Sequence, residues 1–230
     1  MSGGGANGAW EAGVLWGLAH YGNPDDYHWD VVTGISAGGF NSVFGVGFEP
    51  QDVLNMTEHI SDVWLNFKNE DFYVPREGSF IHNQSLWDTS PMEDTIRGVM
   101  NQNPGYKKRI TIGTAEVNTG EFLEWDQDNT TYYDMARVSV ASAAVPIFFP
   151  PVEHEGHLLM DGGTIWDINL SSAINQCHQM GASNEEITVD MTYWLLRHKP
   201  GHAAGRTVHN WLEAWHTHFY YTGMNSSELE

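Results

Sequence analysis

The sequence has one cysteine, Cys177, so no intrachain disulfide is possible. Its place in an expected helix marks it as a buried, inert thiol. Bases are also scarce: 10 Lys and Arg stand against 30 Asp and Glu, a formal net charge of −20. A chain this acidic lacks the basic surface that holds nucleic-acid phosphates, so nucleic acid is excluded as a partner. The acidity reads first as solubility, and it sets the chain against anionic membranes at low salt. No run of 18 apolar residues occurs, so no transmembrane segment is expected. No signal peptide is visible, and no repeat, low-complexity stretch or interdomain linker breaks the sequence. What is there is 230 residues, 41% hydrophobic and 13% aromatic, enough for a single domain with a real core. N-x-S/T sequons at Asn55, Asn83, Asn129, Asn169 and Asn225 point towards a secretory or endomembrane location.

The order of elements alternates, as in an α/β domain. Ala9 to Tyr21 reads as a helix with Val14, Leu15 and Leu18 on one side. Trp29 to Thr33 reads as a short buried strand, Gly38 to Val46 as a small-residue helix, and Gln51 to Phe67 as an amphipathic helix. At Ser90-Pro91-Met92-Glu93 serine is expected to cap a helix, with proline in its first turn and glutamate returning as in a capping box. Arg109 to Glu116 alternates as a strand does. Thr131 to Ala144 is helical until Pro146 stops it. His157 to Met160 is a strand ending at Asp161, Leu170 to Met180 a helix closed by Gly181, and Ile187 to Met191 a further strand. Val208, Trp211, Leu212, Trp215 and Phe219 mark a last amphipathic helix.

Three motifs carry chemistry. Gly34-Ile35-Ser36-Ala37-Gly38 is a G-x-S-x-G run after a strand and before a helix, the context of a nucleophile elbow. Gly3-Gly4-Gly5-Ala6-Asn7-Gly8 opens a helix, and its bare backbone can turn amides towards an anion. That anion could be the oxyanion of an acyl intermediate or, since the residues also spell G-x-G-x-x-G, a dinucleotide pyrophosphate. The serine elbow further along favours the oxyanion. Asp161-Gly162-Gly163 ends a strand, where open α/β sheets place functional groups.

In this order the motifs resemble the patatin-like phospholipase family. Arg109 to Glu121 (RITIGTAEVNTGE) and Ala136 to Pro151 (ARVSVASAAVPIFFPP) also resemble segments that this family carries between them. The resemblance covers most of residues 2 to 192. It implies a three-layer α/β/α sandwich with a mostly parallel central sheet, spanning 1–230 as one domain. It implies a Ser–Asp dyad without a catalytic histidine: Ser36 as nucleophile and Asp161 as base. Gly4, Gly5 and Ala37 would supply the oxyanion hole. No metal and no organic cofactor are called for, and the partner is a lipid substrate at a membrane or micelle interface. Asn7 departs from the family, many of whose members carry Arg or Lys there. A glycine loop of this kind normally leaves a buried strand, and only Met1 and Ser2 precede it, so most of the first strand is expected to be missing from the sequence.

Phe148, Phe149 and Trp166, with Phe44 and Phe48, are candidates to line an acyl groove, against the plainer reading of aromatic core. Glu153-His154-Glu155-Gly156-His157 reads as a polar hairpin turn rather than a metal site. The alternative enzyme is an α/β-hydrolase esterase with a Ser-Asp-His triad, drawing on His178, His198, His202, His209, His216 or His218. The non-enzyme alternative is a patatin-like storage or binding protein with little activity.

Overall fold

The computed structural model describes residues 1–76 and 85–193. The expected helix over 208–219, the sequons at Asn83 and Asn225, and the histidines from His198 onwards lie outside the described residues.

Helix α1 (Gly8–Tyr21) leaves the glycine loop, and strand β1 (Val31–Ile35) leads into helix α2 (Ala37–Gly45). Every residue of α2 is buried. It packs on β1 and on α1, and also on α3 (Val53–Asn66), α5 (Ser90–Met100) and α6 (Tyr132–Ser142). A helix enclosed on all sides needs no polar face, which is why its sequence shows small and apolar residues without an amphipathic stripe. Phe40, Val43 and Phe44 of α2 meet Ile60, Ile96, Met135 and Val138 from the helices around it. The short helix α4 (Asn69–Phe72) and a two-stranded ribbon of β2 (Val74–Pro75) and β3 (Trp87–Asp88) complete the first half of the chain.

The main sheet has five strands: β1, β4 (Arg109–Glu116), β5 (Phe122–Asp126), β6 (Val152–His154) and β7 (His157–Asp161). Strand β4 is buried on both faces and everything else is registered against it. On one edge β5 pairs antiparallel with Thr111 to Ala115. That pairing overlaps both other partners of β4, so both must use the opposite edge. There β1 runs parallel to β4 as far as Ile35, opposite Gly113. Strand β7 comes from the other direction, antiparallel, and ends with Asp161 opposite Thr114. Two strands therefore run head-on along one edge and stop at neighbouring positions of β4. Met1 extends the parallel part on the far side of β1, its nitrogen donating to the Thr33 carbonyl (2.8 Å) and its carbonyl accepting from Ile35 (3.4 Å).

Helix α7 (Leu170–Gln179) packs on β1 and β4 from the other face and makes the third layer. Its contact with the sheet is polar. Gln176 donates to Thr111 Oγ1 (3.1 Å) and Asp126 Oδ2 (3.1 Å), while Ser172 and Asn169 both donate to Glu124. Gly181, with φ +93°, closes this helix as expected. Asn169 is buried with its amide committed, which leaves that sequon no room for a glycan in the folded protein.

Three expectations are corrected. Strand β1 lies two residues later than the apolar run suggested. The stretch from Ile187 to Met191 forms no strand: among the described residues no ladder pairs with it, and the backbone bond from Ser2 falls just past its end, on the Thr192 carbonyl (3.2 Å). No capping box forms at Ser90. The Asp88 carboxylate takes the Ser90 amide (2.8 Å), which holds the Asp88 carboxyl below its ordinary pKa. Glu93 is bound instead by Arg97 (2.7 Å) and Arg137 (2.9 Å). The hairpin at 153–157 forms as expected, turning through Glu155 (φ +48°) and Gly156 (φ +81°).

The head-on meeting leaves no room at its junction. A Cβ on Gly162 would lie 2.5 Å from the Gly113 carbonyl oxygen and 3.2 Å from Ile35. Gly162→Ala should therefore destabilise the protein by roughly 2–3 kcal/mol. Gly17→Ala, a helix-interior change into open space, should instead stabilise it by up to about 1 kcal/mol. Urea unfolding midpoints for the two variants would read out the opposite signs.

Candidate active site

Ser36 stands where β1 gives way to α2, with φ +53° and ψ −120°. This is a strained conformation for a residue with a side chain. It exists because the chain must reverse inside one residue: a Cβ on Gly34 would run into the Gly38 carbonyl. Neighbouring groups fix the turn. The Ser36 amide donates to Ser142 Oγ (2.8 Å), and Ser142 Oγ donates to the Gly113 carbonyl (2.6 Å). Ser142, fully buried at the end of α6, thus joins the elbow to β4 where the β1 ladder ends. Helix α2 starts at Ala37, so its positive end faces Ser36.

Asp161 is 4% exposed. Its amide donates to the Ala144 carbonyl (3.1 Å), and its carboxylate accepts from the Gly163 amide (2.8 Å), with the Ser36 side chain near enough to lower its proton affinity. Burial pushes the Asp161 carboxyl up to about 7. The Ser36 side chain and the Gly163 amide work against that rise, and the nearby Asp167 carboxylate adds to it. Asp167 is itself pushed up to about 6, again chiefly by burial.

The glycine loop lies over the elbow. Gly38 donates to the Ser2 carbonyl (3.1 Å), and a Cβ on Gly3 would sit 3.3 Å from Ser36 Cβ. The Gly3 amide is held by Asp167, both by its carbonyl (3.4 Å) and by Oδ1 (3.1 Å). Asn7 grips the Gly4 carbonyl with its backbone amide (3.1 Å) and its side-chain amide (2.8 Å). Among the described residues, no acceptor takes the amides of Gly4, Gly5 or Ala37. For Ala37 this is the ordinary condition of a first helical residue.

The patatin-like phospholipase family model matches residues 1–174, a span holding the glycine loop, the elbow and the aspartate turn. The chain belongs to the patatin-like phospholipase family. Among solved structures, the crystal structure of VipD from Legionella pneumophila is similar at 15% identity and a TM-score of 0.41, over 70% of this chain. This patatin-like chain spans 45% of the VipD chain. No curated protein matches it.

Within the patatin-like fold, the sequence-derived site residues gather unevenly. Ser36, Asp161, Gly4, Gly5 and Ala37 belong to one junction. Phe148 and Phe149 follow the Ala144 carbonyl that holds Asp161, and Trp166 donates its amide to Gly162 (3.0 Å). All three are half-buried; Phe149 packs on Tyr73 with ring centroids 5.7 Å apart. Phe44 and Phe48 are corrected: both are core, packed on Phe67 and His59. His178 is exposed and bonded to the Ala182 carbonyl (2.9 Å), at the end of its own helix. A cavity of about 620 Å³ opens elsewhere, lined by Leu15, Trp29, Val31 and Ile168 among others, and includes neither Ser36 nor Asp161. Ser142 and Asp167 escaped the sequence reading. A serine among the small residues of 136–144 was the one signal for the first, and the second had none.

Two outcomes follow from this geometry. Ser142→Ala strips a partner from the Ser36 amide and the Gly113 carbonyl, and should cost roughly 2–4 kcal/mol in denaturant unfolding. The raised Asp161 carboxyl keeps its proton in the folded state up to about 7, against 3.8 when unperturbed. Its contribution to stability is full below the lower value and is lost as pH rises through the higher one. Asp161→Asn removes this loss. Its stability relative to the parent should therefore grow by about 2–3 kcal/mol between pH 5 and pH 8, measured by thermal melts across that range.

Proposed function

We propose that this chain is a serine lipid acyl hydrolase that cleaves fatty acyl esters of phospholipids or related lipids at a membrane or micelle interface. Ser36 is the nucleophile and Asp161 its base. The meeting of the strained serine elbow with a buried carboxylate, where β1 and β7 end at neighbouring positions of β4, carries this reading. A base with a pKa of about 7 is well matched to proton transfer near neutrality.

The reaction runs in two halves. Asp161 takes the Ser36 proton as Oγ attacks the ester carbonyl. The amides of Gly4, Gly5 and Ala37 receive the oxyanion, since those of Gly3, Ser36 and Gly38 are already committed. The alcohol leaves with the proton returned by Asp161, and the acyl group stays on Ser36. Water, deprotonated by Asp161, attacks the acyl carbonyl, and the fatty acid departs as Ser36 recovers its proton. Serine is a poor acid beside a carboxylate, so stabilisation of the oxyanion supplies most of the acceleration. Phe148, Phe149 and Trp166 form the wall along which the acyl chain lies.

Fatty-acid release should be measured on phospholipid, lysophospholipid and triacylglycerol panels. Ser36→Ala and Asp161→Ala should each lower it by at least about a thousandfold. For the parent, kcat/KM should rise with pH through about 7 as Asp161 loses its proton. Full activity in either variant would show the assignment to be wrong.

A further inference from the structure

The peptide between Gly4 and Gly5 joins two glycines, with ψ +5° on one side and φ +57° on the other. Glycine tolerates nearly all of backbone space, so this peptide can turn over by a coupled rotation of those two angles with little steric hindrance. Turning it over would reverse the Gly5 N–H. The loop as it stands is held by its carbonyl end. The Gly4 oxygen accepts from the Asn7 amide (3.1 Å), a bond internal to the turn, and from Asn7 Nδ2 (2.8 Å). The peptide is trans, so fixing the carbonyl in one direction fixes the Gly5 N–H in the opposite one. Gly5 is exposed, and no acceptor among the described residues takes its amide.

The geometry points to Asn7 as a positioning residue for the oxyanion hole: its side-chain amide selects one of two orientations of the Gly4–Gly5 peptide and so aims the Gly5 N–H. The inference rests on the reading of Ser36 as nucleophile. It adds an electronic effect to the steric one. When an oxyanion bonds to the Gly5 N–H, the peptide polarises and its oxygen becomes a stronger acceptor, so the Asn7 bond tightens as charge develops. A contact that strengthens in the transition state acts on kcat and leaves ground-state binding alone. Asn7 touches no reacting atom in this account and carries no charge.

The test compares Asn7→Asp, nearly isosteric but with an acceptor in place of the donor, and Asn7→Ala with the parent and Ser36→Ala. Hydrolysis of p-nitrophenyl butyrate gives kcat and KM. A trifluoromethyl ketone, which adds to a serine as a hemiketal oxyanion, gives a Ki that follows the hole itself. Both Asn7 variants should lose roughly 10–100-fold in kcat, with KM within about twofold and Ki raised in step with the loss. Melting temperatures should stay close to that of the parent. If kcat is unchanged, or the loss falls wholly in KM, while Ser36→Ala is inactive, the inference is overturned and the reading of Ser36 stands. Loss of folding in both Asn7 variants would assign the residue to stability and also overturn it. Activity retained in Ser36→Ala would remove the foundation of both.

Discussion

Strand β4 acts as a ruler for the whole molecule. One of its edges is shared end to end by two strands that approach from opposite directions, β1 stopping at Gly113 and β7 at Thr114. A serine placed one residue beyond the first stop and an aspartate at the second are brought together although well over a hundred residues separate them in sequence. Their approach is a matter of register, and register along a buried strand is strongly specified because a slip of one residue turns every side chain to the wrong face. The tight points of the fold, at Gly34 and Gly162, follow from that junction.

A head-on junction leaves backbone groups without ladder partners, and their fates divide the structural from the chemical. Ser142 satisfies the Ser36 amide and the Gly113 carbonyl; Ala144 takes the Asp161 amide; Ser2 takes that of Gly38. The bonds of Ser142 and Ala144 replace ones that a continuous strand would have made, and that of Ser2 satisfies an amide of the first turn of α2, as buried backbone requires. Amides with no such replacement sit in the glycine loop and at the start of α2, beside the serine. The buried carboxylate works in the same sense. Desolvation raises its proton affinity at a cost to the stability of the folded protein near neutrality, and under the proposed function that same rise suits it to act as a base.

Much of this was legible in the sequence, for stated physical reasons. The elbow, the glycine loop and the aspartate turn all demand glycines at fixed places, and glycines are visible in a sequence. Strand β4 and helix α7 were bounded within a residue by alternation and by Gly181. The misreadings have equally definite causes. Phe44 and Phe48 looked available because aromatic content says nothing about which side of an element is enclosed: α2, which carries Phe44, is enclosed on every side, and Phe48 beyond it is covered by His59. The capping box at Ser90 was lost to Arg97 and Arg137, one of them distant in sequence and unforeseeable from local pattern. Ile187 to Met191 has strand-like composition, yet a strand needs a partner. Ser142 and Asp167 act through tertiary contacts alone.

The central claim is that Ser36, facing Asp161, is the nucleophile. Peptide mapping by mass spectrometry after treatment with a fluorophosphonate tests it most directly. The account predicts a single adduct on the peptide carrying Ser36, formed more slowly in Asp161→Asn. An adduct on a different serine, or a rate indifferent to the loss of the carboxylate, would contradict it.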